Sequence, residues 1–290
     1  MIGIWVVPQK GATAKTATTT RATITTARAT ITTARATQIP FGDDNHNDKA
    51  KRHSNREGEG GGNGNATVLG CWRGHRVQMI FDIEKIKARE TYNLLIGLVA
   101  PRPIALVTSM NEEGRMNAAP YSSYNYLCTD PPIIGMGVMN RPSGDFVPKD
   151  TARNIRRTGE FVVNVVTEDI AQQMNICATD FPAEFDELEM AGFTTAPSQV
   201  VKVPRIAEAH AALECREFTT MEIGRSRIVL GRVVSIYIED KFVDPAGPYV
   251  LSEELHAIGR MNGLGAYVKT RDSFLNIPRI PYEEWKKGKR

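Results

Sequence analysis

The chain has 290 residues and a formal net charge of +3, with 36 Lys and Arg against 33 Asp and Glu, and 41% of it is hydrophobic. No apolar stretch reaches the length that crosses a membrane as a helix, and Ile2–Val7 is too short for a signal-peptide core. Before Met79 eleven Lys and Arg face five Asp and Glu, whereas Met79 to Arg290 carries 25 against 28, so the basic character belongs to the N-terminal stretch. The remainder makes no case for nucleic-acid binding, and Lys286–Arg290 reads as a solvated terminus.

Residues 1–78 are low in complexity. Residues 21–27 read Arg-Ala-Thr-Ile-Thr-Thr-Ala, residues 28–34 repeat them without change, and 58–64 is nearly all glycine. Each repeat offers one bulky residue, Ile24 or Ile31, which is too few for a coiled-coil seam, so the segment is expected not to fold. Its lack of acidic residues before Asp43 and its evenly spaced Arg21, Arg28 and Arg35 also resemble a targeting segment, although the repeat argues otherwise. Three readings stay open: an over-extended start ahead of a true beginning at Met79, a disordered tail, and a targeting segment. The 212 residues from Met79 onward make one domain with room for a substantial core. Cys71, Cys128, Cys177 and Cys215 form no C-x-x-C pair, and neither His210 nor His256 has a ligand partner at zinc spacing. The cysteines therefore read as reduced and the protein as cytoplasmic, with Cys128 a small buried hydrophobe rather than a redox group.

In chain order, Ile104–Ser109 is predicted to be a strand, Asn111–Gly114 a turn, and 117–127 a second strand, which together make a hairpin. A third strand follows over 132–138. Its Gly135 and Gly137 mark a close approach by a ligand or a neighbouring backbone. A helix is expected over 151–158, a strand over 160–166 and a helix over 167–177. Beyond an irregular stretch come long strands at 211–223 and 226–239 and a closing segment at 249–270. Strands outnumber helices and the connections are tight, which favours an antiparallel barrel over a doubly wound sheet. Neither Gly135-x-Gly137 nor Gly263-x-Gly265 continues into a dinucleotide fingerprint, and no G-x-S-x-G is present. Glu168-Asp169 and Glu184–Glu189 read as solvated charge.

The chemistry concentrates at Pro148–Ile155, where Lys149 precedes a predicted helix start. Asp150 or Thr151 as N-cap would leave first-turn amides facing outward, at the positive end of the helix dipole, so that a phosphate is attracted there. Thr151 and Asn154, three apart, share one face of that turn.

Three blocks stand in order: Pro101-Arg-Pro-Ile104, Asn117-Ala-Ala-Pro-Tyr-Ser122 and Lys149-Asp-Thr-x-x-Asn-Ile155. Together they resemble the flavin reductase-like family of FMN-binding split β-barrels, and the likeness runs from about Met79 into the late 270s. The resemblance implies a mainly β, antiparallel Greek-key split barrel with a few peripheral helices, spanning 79–290. It also implies FMN phosphate against Lys149, Asp150, Thr151, Asn154 and Arg141, and the isoalloxazine ring along Thr108–Ser109 and Asn117, Ala118, Ala119, Pro120, Tyr121 and Ser122. Arg260, from Ala257-Ile-Gly-Arg-Met261, joins this set. Tyr121 is the aromatic expected at the site, unless it is simply packed. In the family FMN lies between the subunits of a homodimer.

The implied function is hydride transfer from NADH or NADPH to flavin, with electrons passed to a monooxygenase, oxygen or a ferric chelate. Such chemistry resides in the flavin and needs no dedicated acid or base. The alternative is a non-catalytic FMN-binding protein or one-electron carrier. A pyridoxamine-phosphate oxidase-like activity would need basic residues for a second phosphate, and none can be placed. Where some family members carry a histidine near the nicotinamide, this chain reads Gly224-Arg-Ser-Arg-Ile228, and His256 is the candidate substitute.

Overall fold

In the computed structural model, which describes residues 79–141, 147–182, 185–263, 265–271 and 274–287, the chain opens with helix α1 (Ala88–Leu98). The low-complexity tail with Cys71, together with Glu184, Lys289 and Arg290, lies outside the described residues. No residue of α1 is buried, so no core-facing stripe announced it in the sequence. Its C-terminus is held instead by Arg102, whose Nη1 donates to the Ile96 and Val99 carbonyls at 2.6 and 2.8 Å.

Strands β1 (Ala105–Met110) and β2 (Met116–Tyr121) form the expected hairpin. Asn111 Oδ1 accepts from Glu113 and Arg115 amides at 3.1 and 2.7 Å, and Gly114 supplies the positive φ, +83°, that closes the turn. The predicted strand over 117–127 divides. After Ser122 and Ser123 the chain continues as β3 (Tyr124–Thr129), which pairs with β4 (Pro132–Met139) and not with β1. Helix α2 (Asp150–Thr158) ends at Gly159, φ +72°, and leads into β5 (Glu160–Val165), which returns beside β1.

The helix expected over 167–177 is shorter, α3 (Ala171–Ile176), because Thr167 is drawn into a bridge with Ala257. The irregular stretch holds α4 (Glu187–Ala191) and two short strands, β6 (Thr195–Ala196) and β7 (Arg205–Ile206). Two long strands, β8 (Ala211–Ile223) and β9 (Ser226–Ile238), pair through two register shifts that bend the ribbon. Helix α5 (Ser252–Leu255), the pair β10 (Ile258–Arg260) and β11 (Tyr267–Lys269), and α6 (Tyr282–Lys287) complete the described fold.

The seven main strands run β2-β1-β5-β8-β9-β4-β3, antiparallel wherever paired. Because β2 and β3 are consecutive yet sit at opposite ends of that order, the Ser122-Ser123 corner brings the two ends of the sheet together. The Gly137 amide bonds the Ser123 carbonyl at 2.7 Å across this corner. The result is an antiparallel split β-barrel, as the sequence implied.

Strand β1 is buried on both faces, which is why it reads as a continuous apolar run and does not alternate. Ala105 and Val107 join Met136, Val138, Ile155, Phe161 and Cys215 inside the barrel, whereas Leu106 packs outward with Met174, Leu188 and Ile206. Gly231 lets the Phe161 ring lie on β9, since an added Cβ would stand 2.3 Å from Cζ. Gly135 and Gly137 serve the same end: their space is filled by Leu127 and by Ser123 of the corner, so they admit the protein's own chain and not a ligand.

Candidate functional site

Helix α2 begins one residue earlier than expected, with Lys149 at the N-cap position and no side-chain cap bond. Asp150 is therefore no cap. It lies in the first turn, and its carboxylate pairs with both Arg141 and Arg153. The buried face of α2 is joined to the β1–β2 hairpin by two polar contacts: Asn117 Nδ2 donates to Thr151 Oγ1 at 2.9 Å, and Asn154 Nδ2 donates to Ser109 Oγ at 3.3 Å. All four residues are buried. Thr151 and Asn154 do share one face, and that face fixes the helix N-terminus against the edge of the sheet.

Beside this junction lies Tyr121. Its hydroxyl is buried with no partner in hydrogen-bonding geometry. Desolvation pushes the phenol up to about 12, with Asp150 and Glu187 pushing the same way and Thr151 and Arg141 opposing. The electrostatics of these four groups therefore act together on that oxygen. Lys149 stands at the rim, 3.8 Å from Asp180 and partly exposed. Ala119, Pro120 and Ser122 are half-buried along β2, and Pro120 is tolerated because β2 is an edge strand.

Thr108 turns its hydroxyl to the Pro204 carbonyl at 2.8 Å, which leaves its backbone as the part expected to meet a ring, while Arg260 sits near the Ser122 end of β2, its guanidinium 4.6 Å from the Tyr267 ring centre. Arg260 is bonded through its backbone to Arg102, whose Nε donates to Ser122 Oγ at 3.3 Å, so the Ser122 end of β2 has its own cationic cluster. His256 closes α5 in the left-handed region, φ 51°, as a helix C-cap.

The acidic runs are not simply solvated. Asp186 caps α4 by accepting from the Leu188 amide at 2.8 Å, and this turn brings Glu187 Oε2 to the Ala118 amide at 3.4 Å. The sequence reading missed Glu187; the signal available was its place beside Leu188 and Ala191, an apolar pair three apart that buries the turn. Glu168 pairs with Lys269 and Arg271, and Asp169 with His210 at 2.9 Å. Cys128, expected to be buried, is exposed on β3.

A buried, partnerless phenol beside an uncapped helix N-terminus, with Lys149 and Arg141 at hand, is a cradle for an anion that also offers hydroxyl and amide contacts. A split barrel carrying that cradle against its edge strand belongs to a flavin-binding class of oxidoreductases. The chain matches the flavin reductase like domain family over residues 98–254, and it is a member of that family. It is 41% identical over 210 residues to an uncharacterized protein of Deinococcus radiodurans, covering 71% of this chain and 91% of that one. Its fold is similar to Pseudomonas fluorescens 2-nitrobenzoate 2-nitroreductase NbaA, at 36% identity and TM-score 0.63, over 70% of this chain and 98% of that one. It is also similar to nitrilotriacetate monooxygenase component B from Bacillus cereus, at 30% identity and TM-score 0.65, over 70% of this chain and all of that one.

Proposed function

We propose that the protein binds FMN at the junction of β2 and α2 and acts as a flavin reductase, with NADH or NADPH as reductant. The observation that carries this reading is the orphaned Tyr121 hydroxyl, held among Thr151, Asp150, Arg141 and Glu187. The residues present fit the cofactor. Lys149, Arg141 and the first-turn amides of α2 would hold the phosphate, Tyr121 and the Ala118–Ser122 backbone would meet the ring system, and Arg102 and Arg260 stand at its far end. Bound FMN would supply hydride acceptance and onward electron transfer; the protein's part is to hold the ring on a sheet edge with one face accessible. Thr151 and Asn154 orient that edge relative to the helix. No acid or base is required of the chain.

The onward acceptor in this reading is a flavin-dependent monooxygenase, which the likeness to the Bacillus cereus component B supports. The higher identity to NbaA favours a second reading, in which a small nitroaromatic compound is reduced directly. We also propose a homodimer, since Tyr126, Leu127, Met139, Phe218, Met221 and Ile223 expose apolar surface that a second copy would cover.

Purified protein should turn yellow with FMN and oxidise NADH or NADPH when FMN is supplied. Oxidation that depends on added 2-nitrobenzoate, with free flavin unreduced, selects the second reading. A colourless protein that neither takes up FMN nor oxidises either nucleotide overturns both.

A further inference from the structure

Glu187, like Asp186 beside it, has no cation paired to it among the described residues, and it occupies an amide on the strand where the flavin ring is placed. Strand β2 ends the seven-strand order, so amides pointing away from β1 meet no neighbouring strand. The Ala118 amide is met by Glu187 Oε2 at 3.4 Å, near the outer limit of a hydrogen bond, so the contact is weak and displaceable. Around Glu187 stand Asp186 on its own turn, Asp150 from α2, the Tyr121 phenol from β2 and Cys177 from α3, whose Sγ lies 3.6 Å from the Glu187 carbonyl. The cations of the site face other carboxylates: Arg141 and Arg153 pair with Asp150, and Lys149 lies 3.8 Å from Asp180. Burial, with Asp186 and Asp150 adding to it, raises the Glu187 carboxyl above its ordinary value, against the lowering effect of its two backbone hydrogen bonds. Burial and the same carboxylate push the Cys177 thiol up to about 12, so that thiol stays neutral and offers no compensation.

We propose that Glu187 is an internal competitor for the flavin: as a carboxylate it holds the Ala118 amide, and as a neutral acid it yields that amide. Flavin binding then takes up one proton at Glu187, and flavin release returns it to solvent. This inference rests on the flavin site proposed above. An ionised carboxylate facing the polar edge of the ring would set acceptor against acceptor, at a position whose surroundings are already negative. The neutral acid removes that repulsion and can itself donate to a ring carbonyl. The residue thus ties flavin affinity to pH, with release favoured as pH rises.

The test uses riboflavin, whose lack of phosphate removes the ligand's own titration between pH 5 and 8. Fluorescence quenching of riboflavin by the full chain should give an affinity that falls as pH rises. Above the Glu187 pKa its slope should approach one proton, about tenfold per pH unit. Glu187→Gln, which keeps the shape and loses the charge, should bind more tightly than the unaltered protein at pH 8, by the factor that the unaltered protein loses between its low-pH plateau and pH 8, with a flat profile. FMN titrated in parallel separates two kinds of failure. If neither flavin binds at any pH, the site itself is misassigned. If riboflavin binds with a flat profile, or Glu187→Gln keeps the wild-type slope, the site stands and the role of Glu187 is overturned. Should the variant fail to fold, the riboflavin profile of the unaltered protein decides alone: a flat line rejects the competitor and a falling one supports it.

Discussion

The Tyr121 phenol oxygen carries a desolvation cost with no bond to offset it, on the order of 1–3 kcal/mol for a buried hydroxyl. Tyr121→Phe is therefore expected to leave the flavin-free protein as stable as before, or more so, while weakening FMN by about 1 kcal/mol. Paired thermal melts and flavin titrations read both effects. A variant that loses stability without flavin would mean that the hydroxyl serves the fold. Lys149 gives a complementary test, since it is partly exposed and its pairing with Asp180 at 3.8 Å is loose. Lys149→Ala should cost FMN about 1–2 kcal/mol after allowance for solvent screening and leave riboflavin nearly unchanged. Equal losses for both ligands would move the phosphate elsewhere. Locating Lys149 did not need the fold, because a lysine immediately ahead of a helix start is a local pattern. The orphaned state of Tyr121 was not local, because it depends on α2 and α4 closing over β2.

Helix α1 shows how little of an element's stability need come from its own face. With no buried residue, it is held through Arg102, which satisfies two carbonyls at its end and reaches Ser122 at the corner of the barrel. Arg102→Ala should abolish amide-exchange protection over 88–98 while β1, β5 and β8 keep theirs. Uniform loss across the sheet would instead make Arg102 a core residue in effect. Strand β9 makes the opposite point. Gly231→Ala drives a methyl into the Phe161 ring and should destabilise by about 1–3 kcal/mol, read as a lowered denaturant midpoint with an unchanged slope. The hairpins, the α2 start and the long β8–β9 pair were legible because turn residues and apolar runs are local signals. The division of 117–127 was not, since the bend at Ser122 and Ser123 contains neither glycine nor proline and shows itself only through the change of pairing partner across it.

At the scale of the molecule, every block shared with the family lies after Met79, so residues 79–290 expressed alone should fold and take up FMN. An insoluble or flavin-free product beside a yellow full-length protein would assign the first 78 residues to the fold. The surface argues for a second copy: Tyr126 is 70% and Phe218 58% exposed, a cost that two-fold contact removes. Strand β4 contributes little to that surface, since Ile133, Ile134 and Met136 are buried between β3 and β9. Sedimentation should report a dimer whose flavin is lost as it is diluted apart. A monomer that keeps its flavin at nanomolar concentration would defeat the idea.

Short-range chemistry was enough to place the strands, the helix with its lysine and the family motifs, because propensity, turn residues and caps act over a few neighbours. Closure of the barrel decided the rest. It set Glu187, read locally as solvated charge, on the edge amide of Ala118, and it turned Gly135 and Gly137 toward their own chain. It also joined the Thr108 hydroxyl to the Pro204 carbonyl and the Arg260 backbone to Arg102. Three of these contacts join residues far apart in sequence: Ala118 and Glu187 (69 positions), Thr108 and Pro204 (96) and, farther still, Arg102 and Arg260. No local pattern encodes such contacts; they exist only once the two ends of one sheet have met.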